Sequence, residues 1–128
     1  METLIQVENL RKVFHLGKTE VHALRGLSFE IFESEYLSIM GPSGSGKSTL
    51  FNMIGALDRP TEGSVVVGGV DLTKMPSRKL AYIRCNYIGY IFQSYNLIPS
   101  LTAVDNVALP LTFRGLTRPQ AEERASEV

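Results

Sequence analysis

Apolar and polar side chains alternate at the start of the chain. Leu4-Ile5-Gln6-Val7 and Leu27-Ser28-Phe29-Glu30-Ile31 follow a period near two, which predicts β-strands punctuated by Gly17-Lys18-Thr19-Glu20 and Gly26. The compact apolar run Tyr36-Leu37-Ser38-Ile39-Met40 predicts a buried strand, and residues Ser48 to Leu57 predict a helix. After the turn Asp58-Arg59-Pro60-Thr61-Glu62-Gly63, Ser64-Val65-Val66-Val67-Gly68 reads as a further strand, closed by Gly68-Gly69. A short helix is expected from Pro76 to Arg84, because Leu80 and Ile83 share a face and Pro is tolerated in a first turn. Tyr87-Ile88-Gly89-Tyr90-Ile91-Phe92 reads as another buried strand, ending at Gln93. Beyond it the period becomes helical. Thr102-Ala103-Val104-Asp105 resembles a capping box that starts a helix at Ala103, which Pro110 bends or ends. A solvated helix opened by Thr117 and Pro119 follows from Arg118 to Val128. No repeat or low-complexity tract interrupts this order.

Between the expected strand at 36–40 and the expected helix lies Gly41-Pro42-Ser43-Gly44-Ser45-Gly46-Lys47-Ser48-Thr49. It fits the phosphate-binding pattern G-x-x-x-x-G-K-[ST] in the strand, loop, helix context that the pattern requires. Its three glycines allow backbone N–H groups to turn inward where side chains would obstruct a phosphate chain, and the new helix adds its positive dipole end there. Lys47 would place a mobile ammonium on the outer phosphates, and the Ser48 hydroxyl would ligate an accompanying Mg2+. A nucleoside triphosphate is the expected ligand.

Composition narrows the setting. The 128 residues provide one domain's worth of material, and an apolar fraction of 44% suits a globular core. Lys and Arg balance Asp and Glu, so no broad field draws the chain to nucleic acid or anionic lipid. No apolar run approaches the roughly 20 residues that span a bilayer, and Met1-Glu2-Thr3-Leu4-Ile5-Gln6 lacks the features of a signal peptide, so a cytoplasmic location is expected. Cys85 stands alone and is read as a small packing residue, while His15 and His22 fall in no metal-ligand spacing and are read as loop or strand-edge residues. Arg114, Arg118, Glu122, Glu123 and Arg124 are expected to form an exposed face with weak local ion pairs.

Several stretches together resemble the nucleotide-binding subunits of ABC transporters: Leu10-Arg11-Lys12-Val13-Phe14, the phosphate loop, Asp58 to Gly63, Ile88-Gly89-Tyr90-Ile91-Phe92-Gln93 and Asn96-Leu97-Ile98-Pro99. The resemblance is strongest to the branch of lipoprotein-release and macrolide-export ATPases, and it covers essentially the whole chain. It implies an α/β fold: a P-loop NTPase core with an N-terminal antiparallel β subdomain over residues 1–93 and the start of a helical subdomain over 94–128. It implies ATP and Mg2+ as ligands, held by Gly41 to Thr49. It makes Phe14 the aromatic that stacks on adenine, a position more often Tyr; stacking uses the ring face, so Phe suffices. Gln93 becomes the residue whose amide carbonyl reaches magnesium and the attacking water, and Lys47 and Gln93 the catalytic pair. The implied partners are a membrane permease, met by residues 94–111, and a second copy in a head-to-tail dimer, on the inner face of the membrane. Residues 95–99 fit that surface or local packing equally.

The family pattern continues with a Leu-Ser-Gly-Gly-Gln signature, an apolar run ending in Asp-Glu, and a switch histidine, none of which occurs in these 128 residues. Phosphoryl transfer needs such groups acting together, so the chain is expected to carry the binding half of the chemistry only. The final helix stops without a cap or polar tail and reads as cut. In the family's sheet the strands at 36–40 and 87–92 are separated by strands that these residues do not supply, which predicts exposed backbone and an aggregation-prone or molten isolated chain. Two other readings compete: a non-catalytic nucleotide-binding or regulatory module, and another phosphate-loop enzyme such as a kinase or GTPase. The latter is disfavoured by the absence of an Asn-Lys-x-Asp guanine-reading run.

Overall fold

A computed structural model describes residues 2–128. Thr3–Leu16 (β1) and Thr19–Phe32 (β2) form a long antiparallel hairpin around the two-residue turn Gly17-Lys18. Glu62–Val67 (β3) pairs antiparallel with the other edge of β1, and Val70–Asp71 (β4) pairs with β3, in the order β2-β1-β3-β4. The expected antiparallel β region is present, yet its first two strands run well beyond the short alternating stretches. Bulges explain this. The β1–β2 register shifts between Val7 and Leu10, between Leu10 and Arg11 and between Lys12 and Val13. The first of these places its extra residue in β1 and changes that strand's inward phase, so Val7 and Leu10, three residues apart, are both buried, whereas the other two place theirs in β2.

Lys47–Ile54 (α1) contacts β2 and β3 and buries Leu50 and Met53, one helical turn apart. Leu24 and Val65 are buried sheet residues of the same compact unit, which ends at Ala81. The helix ends three residues before the expected Leu57. Ala56, with φ 58°, takes the left-handed position: its N–H donates to the Met53 carbonyl and the Leu57 N–H to the Asn52 carbonyl, the double closure of a Schellman turn. Glycine normally fills that position, so Gly55 beside it hides the true stop.

Two expected strands do not form. Residues 36–40 are irregular, with Tyr36 93% and Met40 89% exposed. Ser77–Tyr87 (α2) runs three residues past the expected Arg84 and takes Tyr87 into the helix, while residues 88–92 carry no ladder and Ile91 is 102% exposed. The physical reason is the same for both: among the described residues neither segment has a strand to pair with, and an apolar run without a ladder is not a strand. The Tyr90 and Phe92 rings stack on each other instead, with centroids 5.2 Å apart.

The regular elements of the second unit, Tyr82–Val128, are all helical. Ala103–Phe113 (α3) and Arg118–Ser126 (α4) pack through Ala108, Ala121 and Ala125, with Leu111 against them. Thr102 caps α3 by accepting the Asp105 N–H at 3.1 Å, as the capping pattern predicts. Pro110 does not end α3. One helix hydrogen bond is lost there, but the next turn is closed by Gly115 N–H to the Thr112 carbonyl and Leu116 N–H to the Leu111 carbonyl, with Gly115 at φ 98°. Gln120 Oε1 accepts from the N–H and hydroxyl of Thr117 and fastens the start of α4. Of the residues expected to form an exposed, ion-paired face, Arg118 pairs with Glu122 at 2.6 Å, while Arg124 pairs with Glu127, just past the end of α4, at 2.7 Å.

Candidate functional site

The phosphate-loop residues Gly41 to Thr49 curl into the start of α1. Gly44 and Gly46 have φ of 78° and 92°, a region that side chains rarely adopt. A Cβ on Gly44 would meet nothing, so only its backbone angle demands glycine. At Gly46 space also decides: a Cβ would lie 2.5 Å from the Ala23 carbonyl oxygen. Ala23 is the extra residue of the β2 bulge, since Lys12 pairs with Leu24 and Val13 with His22. The bulge thus pushes a β2 carbonyl against the loop just where α1 begins.

Ser45 N–H closes a turn on the Pro42 carbonyl at 3.2 Å, and Leu50 N–H reaches the Gly46 carbonyl at 2.9 Å. The N–H groups of Gly44, Gly46, Lys47, Ser48 and Thr49 have no acceptor among the described residues. A glycine-enforced bend followed by a helix start gathers these donors in one place, the arrangement that binds anions. The Lys47 ammonium folds over the same loop, 2.7 Å from the carbonyls of Gly41 and Pro42 and 3.3 Å from Ser45 Oγ.

A cavity of about 570 Å³ opens beside these groups, lined by Ser43, Gly44, Gly46, Lys47, Ser48 and Thr49 and, from β2, by Glu20 to Ala23 and Arg25. Lys47 and Arg25 outnumber the one carboxylate, Glu20, whose oxygens lie 3.6 Å from His15 Nδ1 and 3.7 Å from His22 Nε2. That balance suits a polyanion. Phe14 stands directly opposite Val21 on the hairpin, and Val21 lines the cavity, so the aromatic is the cavity's neighbour on β1. Phe14 remains 39% exposed.

Gln93 belongs to the second unit, on an exposed irregular segment. Among the described residues no group of three His, Cys, Asp or Glu side chains is placed to hold a metal. The oxygen donors of the loop, with the Ser48 hydroxyl foremost, suit instead a hard ion that keeps water and phosphate ligands, the behaviour of Mg2+. The β2 residues on the cavity wall, Val21, His22 and Arg25, were not legible in the sequence, because their position follows from the hairpin register and the bulge rather than from a motif. His22, read there as a strand-edge residue, is a cavity residue as well. No helix among the described residues is long and apolar enough to cross a membrane.

Comparison with known proteins accords with this geometry. The family model described as ABC transporter matches residues 24–128. An ABC transporter ATP-binding protein of Thermotoga maritima is 48% identical over 128 residues, covering 100% of this chain and 55% of its own length. The macrolide export ATP-binding/permease protein MacB of Brucella abortus is 42% identical over 123 residues, covering 96% of this chain and 19% of its own length. Among solved structures, the dimeric, post-hydrolysis ATP-binding cassette MJ0796 of Methanocaldococcus jannaschii, bound to ADP and Pi, superposes with a TM-score of 0.90 at 42% identity, covering 97% of this chain and 55% of that one. The chain spans about half the length of the first curated relatives that it matches.

Proposed function

The chain belongs to the ABC transporter family, and on that premise we propose that it supplies the ATP-binding half of a subunit that couples MgATP binding and hydrolysis to a membrane permease. The observation that carries this reading is the cluster of N–H groups of Gly44, Gly46, Lys47, Ser48 and Thr49, without acceptors among the described residues, beside the Lys47 ammonium. The donors fit the phosphate chain. Gly41, Pro42, Ser43, Gly44, Ser45 and Gly46 shape the bend, and Lys47, Ser48 and Thr49 open the helix beneath it. The Lys47 ammonium exchanges neutral loop oxygens for phosphate oxyanions, which are stronger acceptors. Phe14 stacks on the adenine ring.

Ser48 and Gln93 are proposed to hold Mg2+ through a hydroxyl and an amide carbonyl oxygen, and this ion, when bound, neutralises charge that develops on the phosphates. Lys47 and Gln93 form the catalytic contribution of these residues, Gln93 also relaying nucleotide state to the permease. In the complete subunit two copies are proposed to associate head to tail, peripheral on the inner face of the cell membrane. Residues 1–93 form the β and phosphate-loop part and 94–128 the beginning of a helical subdomain that faces the permease. The dimeric MJ0796 cassette and the fused permease of MacB support the partner assignment by similarity.

Calorimetric titration of MgATP into the intact polypeptide that carries this chain tests the reading. Lys47→Ala removes one charge-assisted contact and is expected to weaken binding by about tenfold to a hundredfold. Unchanged affinity in that variant refutes the phosphate role of the loop.

A further inference from the structure

Lys12 is not an ordinary surface lysine. It lies two residues before Phe14 on β1, hence on the same face of the strand. Its Nζ is 5.0 Å from the centroid of the Phe14 ring. The same nitrogen lies 2.8 Å from Asp58 Oδ2 and donates to the Arg59 carbonyl at 2.7 Å, and the Lys12 side chain is only 13% exposed.

The holding groups are themselves fixed. Asp58 Oδ1 accepts the Arg59 N–H at 2.7 Å, so both carboxylate oxygens are engaged. On either side of Lys12, β1 is fastened to the same turn: Thr61 N–H donates to the Arg11 carbonyl at 2.8 Å, and Val13 N–H donates to Thr61 Oγ1 at 3.0 Å. The turn that follows α1 therefore carries an anchor for a cation placed against the aromatic ring. A flexible ammonium free in water would not stay over that ring; two short contacts in a half-dry site keep it there.

We propose that Lys12, clamped by Asp58 and the Arg59 carbonyl, is a positioning residue for the nucleotide base: it steadies the Phe14 ring, leaving the exposed remainder of the ring to take a purine. The proposal rests on the reading of Phe14 as the base-stacking residue. A ring already held loses less freedom when a base stacks on it, so the clamp acts through preorganisation and not through contact with the phosphates. It also accounts for Phe14 functioning without a phenol, since the ring is located by the cation on its face instead of by a hydroxyl contact.

The test compares two ligands on the intact polypeptide by calorimetry: MgATP, and magnesium tripolyphosphate, which carries the phosphates without a base. Lys12→Met keeps the length of the side chain and removes its charge. It is expected to weaken MgATP by about two- to fivefold, the worth of one such cation–ring contact, and to leave tripolyphosphate unchanged. Lys12→Arg is expected to retain most of the MgATP affinity. In a Phe14→Ala background, Lys12→Met is expected to have no further effect. Equal weakening of both ligands, unchanged MgATP affinity in Lys12→Met, or a full loss persisting without the ring overturns the proposal. Should Lys12→Met fail to fold, the isosteric Asp58→Asn carries the same two-ligand comparison. Phe14→Ala alone separates the two levels: undiminished MgATP binding there refutes base stacking, whereas weakened binding there with an inert Lys12→Met refutes only the clamp.

Discussion

Two short apolar segments, Ser64-Val65-Val66-Val67 and Tyr36-Leu37-Ser38-Ile39-Met40, have similar local claims to be strands and end in opposite states. The first belongs to β3, paired to β1 on one edge and to β4 on the other, with Val65 1% exposed. The second is irregular and leaves Met40 almost fully in solvent. Propensity does not separate them; a partner does. A strand is a property of two chains of backbone donors and acceptors, and only one segment has the second chain among the described residues. The phosphate loop that follows Met40 is nevertheless built. On its other side it runs directly into α1, and Gly46 comes close to the Ala23 carbonyl of the β2 bulge.

The largest test of this contrast is amide hydrogen exchange. Amides of β1, the strand with a neighbour on each side, are expected to exchange more slowly than those of residues 37–40 by about three orders of magnitude or more, because the former open only with the sheet and the latter have nothing to open. Comparable protection in the two segments breaks the comparison outright. A second measurement sharpens it at the level of side chains. Val65→Ala, which empties part of the packed face, is expected to lower the opening free energy of β3 amides by about 2 kcal/mol, whereas Met40→Ala is expected to change it by less than about 0.5 kcal/mol. Equal costs at the two positions would mean that residues 36–40 pack after all.

The same distinction explains what could be read in advance. Features that depend on neighbours in sequence were legible: the phosphate loop from its glycines and Lys47, the starts of α3 and α4 from Thr102 and Thr117, the face of α2 from Leu80 and Ile83. Features that depend on a distant partner were not. The bulges that lengthen β1 and β2 while hiding their alternation, and the β2 residues that wall the cavity, follow from pairing. So does the staple by which Asn106 binds both the N–H and the carbonyl of Ile98 and holds residues 98–102 to α3. The end of α1 failed for a third reason, a left-handed Ala56 in the place where glycine is the usual signal. In the candidate site the division is the same. The loop donors are one continuous stretch and readable; the placement of Phe14 beside the cavity needed the hairpin register; Gln93 rests on resemblance alone.

The smallest expected effect concerns how β3 enters the ladder, where the segment 36–40 has no counterpart. The turn before β3 is tied to β1 through Thr61 and through Lys12 and Asp58. Partial burial pushes the Asp58 carboxyl upward, but the hydrogen bonds from Lys12 and the Arg59 N–H, with the Lys12 charge, outweigh it and hold the carboxyl below the usual carboxylate range. A depressed carboxyl contributes stability that is complete above its unfolded value and disappears as pH falls through the folded one. The turn should therefore be tightest at neutral pH and loosen in acid, below the ordinary range of an aspartate. The pair is partly exposed and screened, so the change is expected to stay within about 1 kcal/mol. Exchange of the Thr61 amide, which donates into β1, is the local reporter. With the intrinsic pH dependence of exchange divided out, its protection should fall in acid, and Asp58→Asn should flatten that response. A response that persists unchanged in Asp58→Asn would assign the acid sensitivity of the ladder entrance to another carboxylate, with Glu62, 3.7 Å from Arg11, the nearest alternative on the same turn.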